Sequence, residues 1–145
     1  MIVVDDLLLL HIVARRTHPA VHSYVASAAR GEVFTTGSWY WRLARAITRP
    51  SRGVFSRYLG TLSADERFRV GAAVENLPEG LGVLSLRRLV PIMAALPGQL
   101  NLLTAEALAA AIVLDASIAV TTESNLLTQA AAAVNLTIEL VDLNS

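Results

Sequence analysis

The chain has 145 residues, no cysteine, and twelve basic residues balanced by twelve acidic ones, for a formal net charge of zero with histidine neutral. That length suits one domain with a sizeable core, and the missing cysteines exclude disulfides, thiolate zinc sites and cysteine nucleophiles. Every basic residue is arginine, which excludes lysine Schiff-base chemistry and a P-loop lysine, and the apolar share of 54% calls for a large core or a covered face.

Ile2, Val3 and Val4 form a short apolar run ending in Asp5 and Asp6, the pattern of a buried strand with acids at its carboxyl end. The opening lacks the basic residues and unbroken apolar stretch of a signal peptide. No apolar run reaches the roughly 18 residues a membrane span needs, so the chain reads as cytoplasmic, with no membrane partner. Residues 7–14 are apolar and suit a helix. Thr17 or His18 caps the next helix, Pro19 takes its first position, and Gly31 closes it. Residues 33–35 are a second strand. Gly37 and Ser38 open a helix through Ile47 that Pro50 stops, and residues 51–59 form a short helix ended by Gly60. Ser63 with Glu66 three later is a capping box; its helix runs to about Leu77 and breaks at Pro78 and Gly80. Residues 81–84 are a third strand and 86–96 a helix carrying Pro91, followed by a turn at Pro97-Gly98. Thr104 caps an alanine-rich helix over 105–115. Residues 117–121 are a fourth strand, Ser124 or Asn125 begins a helix through Val134, and 136–141 alternates as a final edge strand. The order β-α-α-β-α-α-α-β-α-α-β-α-β predicts one α/β domain over 1–145, with a parallel sheet wrapped by helices.

In an open parallel sheet, ligands sit beyond the carboxyl ends of the strands. Asp5 follows the first strand, Glu123 follows the fourth, and Glu106 lies in the helix leading to it. If strands one and four are neighbours, the three carboxylates converge at one rim. Hard divalent cations take oxygen ligands, and Mg²⁺ keeps waters beside one or two carboxylates; such an ion activates water in phosphodiester cleavage. Each acid has a structural explanation too. Glu106 and Glu123 lie at or near helix starts, where the macrodipole favours a carboxylate, whereas Asp5 needs a partner or solvent to offset its burial. Asp6 is a fourth ligand or a helix N-cap, and the cap is the preferred reading.

Residues 33–64 contain no acid, yet carry Arg42, Arg45, Arg49, Arg52 and Arg57 among Trp39, Tyr40, Trp41, Phe55 and Tyr58. Arginine with aromatics is how single-stranded nucleic acid is held, by phosphate contact and base stacking. The same residues also fit a solvated helix face over core aromatics. His18 and His22 are four apart on one helix but lack a nearby acidic or cysteine partner, and His11 suits a core position. No P-loop, GxGxxG or GxSxG motif occurs.

The run Ile2-Val3-Val4-Asp5 resembles the opening of PIN domains, an apolar strand ending in Asp. Leu103-Thr104-Ala105-Glu106-Ala107-Leu108 resembles the PIN helix that begins Asp-Ala, and Ala119-Val120-Thr121-Thr122-Glu123 resembles the PIN strand that ends Thr-x-Asp. The resemblance spans the whole chain, weakly in the middle. It implies a three-layer α/β/α fold with a five-stranded parallel sheet in order 3-2-1-4-5. It also implies Mg²⁺ or Mn²⁺ at Asp5, Glu106 and Glu123, Thr121 as an accessory, and cleavage of single-stranded RNA. Many small bacterial members are toxins held by an antitoxin protein.

Two family Asp positions are Glu here, and the extra methylene displaces each carboxylate by roughly an ångström, enough to cost rate where positioning is the catalyst. The helix after the second strand lacks the family's acid, and Arg42 stands nearest its place. An arginine there repels a cation and can pair with Asp5 or Glu106. Two expectations follow: a PIN-like protein with a degenerate site and weak or lost ribonuclease activity, or an active metal-dependent ribonuclease. Arg45, Arg49 and Arg52 are the expected RNA or partner contacts. The apolar surplus points to an antitoxin partner or a homodimer.

Overall fold

The structure is a computed structural model that describes residues 1–49 and 53–144. Its strands are β1 (Ile2–Val4), β2 (Val33–Thr35), β3 (Leu81–Val83), β4 (Ser117–Val120) and β5 (Ile138–Leu140). Its helices are α1 (Asp6–Ala14), α2 (Pro19–Ala29), α3 (Gly37–Thr48), α4 (Val54–Leu59), α5 (Ala64–Glu75), α6 (Leu86–Ala95), α7 (Leu102–Leu114) and α8 (Asn125–Ala133). The sheet is parallel throughout and ordered β3-β2-β1-β4-β5. Element order and sheet order both match the expectation.

Strand periodicity builds the layers. Val3, Ile118 and Val120 face one core, while Val4 and Ala119 face the other, as a period of two requires. The first core takes Ile118 and its neighbours against alanines 107, 109, 110 and 111 of α7, with Leu89 of α6 and Leu127 of α8. Alanines there let α7 lie close to β1 and β4. The second core takes Leu8, Leu9 and Leu10 of α1 with Val21, Val70 and Ala73 from α2 and α5. Every residue of α1 is buried, as befits a helix that is apolar all round. Much of the apolar surplus is thus absorbed by α1 and α7. What remains outside includes Trp41 at 64% and Phe68 at 78% exposure.

Most caps follow the sequence pattern. His18 caps α2, the Ser63 box opens α5, and Ser124 caps α8. Two do not. Asp5, not Asp6, caps α1, accepting from the Leu8 N–H at 2.9 Å. Asn101, not Thr104, caps α7, accepting from the Thr104 N–H at 2.8 Å. The alanine-rich helix therefore starts earlier than expected, because Leu102 and Leu103 belong to its first turn, and Glu106 falls in the second turn rather than the first. The strand ends also shift: β4 stops at Val120 and leaves Thr121 free to turn toward β1. Pro50, expected to stop a helix, and Arg52 lie outside the described residues, and of the expected 51–59 helix the described part is Val54–Leu59. Among the described residues no helix is long and apolar enough to cross a membrane.

Candidate functional site

The chain runs outward through β2 and β3 and then returns to place β4 beside β1. Strand order reverses between β1 and β4, and such a switch point opens a crevice at the carboxyl ends of the strands. A cleft of about 490 Å³ lies there. Asp5, Asp6, Arg42, Thr121 and Glu123 all line it, with Trp39, Phe55, Leu59 and Leu127 among its apolar walls. The volume lies within the range of small-ligand sites.

Asp5 sits at the floor, 6% exposed. Its Oδ1 accepts the Leu8 N–H, and its Oδ2 accepts the Thr121 N–H and the Thr121 hydroxyl, both at 2.8 Å. The carboxylate thus joins the start of α1 to the end of β4. Burial raises its pKa above the ordinary value, opposed by the bonds from Leu8 and Thr121 and then by the Arg42 charge.

Asp6 is 7% exposed. Its Oδ1 accepts the Leu7 N–H at 2.8 Å. Its Oδ2 lies 3.2 Å from the Arg42 Nε, yet accepts no hydrogen bond from any described residue. The pair is close enough for Coulombic attraction, but the N–H is not aimed at the oxygen. Burial and then the neighbouring Asp5 charge push the Asp6 pKa up to about 6, against the pull of Arg42. Sequence pairs Arg42 with Asp5 or Glu106. The structure corrects this to Asp6, because donors from α1 and β4 already occupy Asp5 and donors from α3 occupy Glu106.

Glu106 is 1% exposed. Its Oε2 accepts the Gly37 N–H at 2.8 Å, and its Oε1 accepts the Ser38 N–H at 3.1 Å and the Ser38 hydroxyl at 2.5 Å. A carboxylate from α7 thus neutralises the first N–H groups of α3, a position where helix ends bind anions. Gly37 leaves room for it: a Cβ there would lie 3.2 Å from the Glu106 Oε2.

Of the three expected carboxylates, Asp5 and Glu123 line the cleft and Glu106 is bonded to the first residues of α3. Among the described residues no three His, Asp or Glu side chains are grouped to hold a metal ion. Mg²⁺ or Mn²⁺ would draw on oxygen lone pairs that at Asp5 and Glu106 are mostly taken, since three protein N–H and O–H groups bond each carboxylate out of about four acceptor sites. Thr121 is close to Asp5 as expected, but as a hydrogen-bond donor to it.

Arg42 and Ala46 of α3 line the cleft. Arg42 and Arg45, three apart, lie along one side of α3, Arg49 follows as its C-cap, and all three are exposed. Trp41 is 64% exposed one turn before Arg45. Trp39 and Phe55 stand among the aromatics the sequence offers for nucleic acid, whereas Ser38 is not singled out as a site residue. The only signal for the Ser38 partnership is its place in the first turn of α3.

Comparison with known protein families gives no match, and no curated protein matches the chain; the resemblance to PIN domains rests on the sequence motifs, with the sheet order in agreement.

Proposed function

We propose that this chain is a PIN-like domain protein whose carboxylate rim has become structural, that metal-dependent ribonuclease activity is weak or lost, and that it binds single-stranded RNA along α3. The observation carrying this reading is the Arg42–Asp6 ion pair at 3.2 Å, set in a cleft where Asp5 already accepts three hydrogen bonds from the protein. A guanidinium in that place supplies the positive charge that a cation would otherwise bring. Trp41, Arg45 and Arg49 offer the stacking surface and phosphate partners that single strands use, inside a stretch free of acids.

The test is fluorescence anisotropy with a labelled single-stranded RNA across a range of salt. Binding should weaken with salt. Arg45→Ala and Arg49→Ala should each reduce the slope by roughly 0.7, the value for one phosphate no longer neutralised. RNA recovered after incubation with Mg²⁺ or Mn²⁺ should be uncut. Salt-insensitive binding, or none, removes the RNA reading. The alternative, an active nuclease using Asp5, Glu106 and Glu123, draws support from one observation: Asp5 and Glu123 line the same cleft.

A further inference from the structure

We propose that the cleft takes a single guanine base, read by Asp6 and Arg42 together. This rests on the single-stranded RNA reading and narrows it to one base at one place.

The starting point is the Asp6 Oδ2. It is buried and accepts no hydrogen bond from any described residue, although the residue is only 7% exposed. Buried polar atoms are nearly always bonded, and an oxygen left without a donor is costly. The other oxygen is committed to the Leu7 N–H, so Asp6 is held in place with one acceptor site unfilled. Arg42 lies against that oxygen through its Nε. Among the described residues no hydrogen bond is made by its guanidinium, and the side chain is 49% exposed. It can therefore turn outward when another donor takes its place at the Asp6 Oδ2.

Guanine alone among the four bases matches this pair on both sides. It carries adjacent N1–H and N2–H donors for a carboxylate oxygen, and O6 and N7 acceptors that arginine takes bidentately. Uracil offers one N–H flanked by two carbonyls, which a carboxylate repels. Adenine and cytosine each offer a single amino group. On entry, the guanine N–H groups take the place of Nε at the Asp6 Oδ2, and the guanidinium turns to O6 and N7. Each charge keeps a partner throughout. Trp39, Phe55 and Leu127 supply apolar walls in a space of about 490 Å³. Glu123, on the same rim, repels phosphate and directs the strand toward Arg45 and Arg49.

Calorimetric titration with the 5′-monophosphates of guanosine, adenosine, cytidine and uridine tests this on the intact chain. Guanosine monophosphate is expected to bind at least about tenfold more tightly than the others, the discrimination a good base contact gives. Asp6→Asn keeps the acceptor for the Leu7 N–H and should erase the preference. If that variant fails to fold, Arg42→Met at a half-exposed position should reduce it as well. Equal affinity for all four, no binding of any, or a preference for another base overturns the proposal. Labelled RNA separates the two readings. Oligonucleotides bound without base preference leave the RNA reading standing and remove the guanine site. A guanosine monophosphate preference with no oligonucleotide binding does the reverse.

Discussion

The Nε of Arg42 lies 3.2 Å from the Oδ2 of Asp6, and both residues line the cleft that opens where β1 and β4 meet. The next residue back, Asp5, makes no such pair, because its two oxygens already join the first turn of α1 to Thr121. Adjacent aspartates thus do different work: one fastens the sheet to a helix, and the other pairs with a charge in the cleft lining.

Asp5→Ala removes both the α1 cap and the acceptor for Thr121. A lost N-cap costs about 0.5–2 kcal/mol and a stranded buried donor about 1–3. The variant should therefore unfold at a clearly lower urea midpoint, by roughly 2–4 kcal/mol, with Asp5→Asn losing less. A midpoint unchanged in Asp5→Ala would show that the three bonds carry no stability.

Glu106→Ala leaves three donors on Gly37 and Ser38 without their acceptor. Hydrogen bonds to charged groups contribute about 1.5–3 kcal/mol each, and not additively, so a loss of roughly 3 kcal/mol or more is expected in urea. A carboxylate kept for a metal would behave oppositely, since its removal from metal-free protein relieves repulsion. Stabilisation by Glu106→Ala, measured in EDTA, would contradict the capping role.

Asp6 gives a dependence on pH with a definite sign. Its folded pKa is raised to about 6, from an ordinary value of 3.8, so between those values the folded state binds more protons than the unfolded one. The contribution of Asp6 to stability therefore rises as pH falls from about 6 to 3.8, and is unfavourable above that window. Wild type compared with Asp6→Asn at pH 7 and pH 4 should differ by roughly 1–3 kcal/mol in its favour at the lower pH. A pH-independent difference between the two proteins would rule this out.

His11 acts in the other direction. Its Nδ1–H donates to the Leu7 carbonyl at 2.9 Å and its ring meets Tyr58 edge-on at 5.0 Å. Burial lowers its pKa below 6.5, helped by the Arg16 and His18 charges and opposed by the Leu7 bond and Glu66. The folded state then binds fewer protons, so stability is full above 6.5 and is lost as pH falls from there to the folded pKa. His11→Gln should remove this part of the acid loss. Identical acid profiles for the two proteins would contradict it.

Much of the fold is legible in the sequence because its signals are local. The run Ile2-Val3-Val4, the Ser63–Glu66 box and Pro19 after His18 each define an element from a few neighbouring residues. Sheet order is not local; it follows from the resemblance, and its consequence, Asp5 and Glu123 in one cleft, follows with it. The departures have tertiary causes. Glu106 cannot be placed from its helix alone, because its partners are the exposed N–H groups of α3, which reach it only when α3 and α7 pack. The partner of Arg42 turns on a matter one residue wide: with Asp5 rather than Asp6 as the cap, Asp6 is the carboxylate left facing the cleft. Asn101 is hidden as a cap because the two leucines after it read as loop.

The most direct test of the structural role assigned to the rim is calorimetric titration of Mn²⁺ into wild type and Arg42→Glu, with single-stranded RNA assayed for cleavage alongside. The structure predicts no saturable micromolar binding and intact RNA for wild type, with affinity gained in Arg42→Glu, where a repulsive charge becomes an oxygen ligand. Stoichiometric Mn²⁺ binding by wild type, with EDTA-sensitive cleavage that Asp5→Asn abolishes in a folded protein, would contradict it.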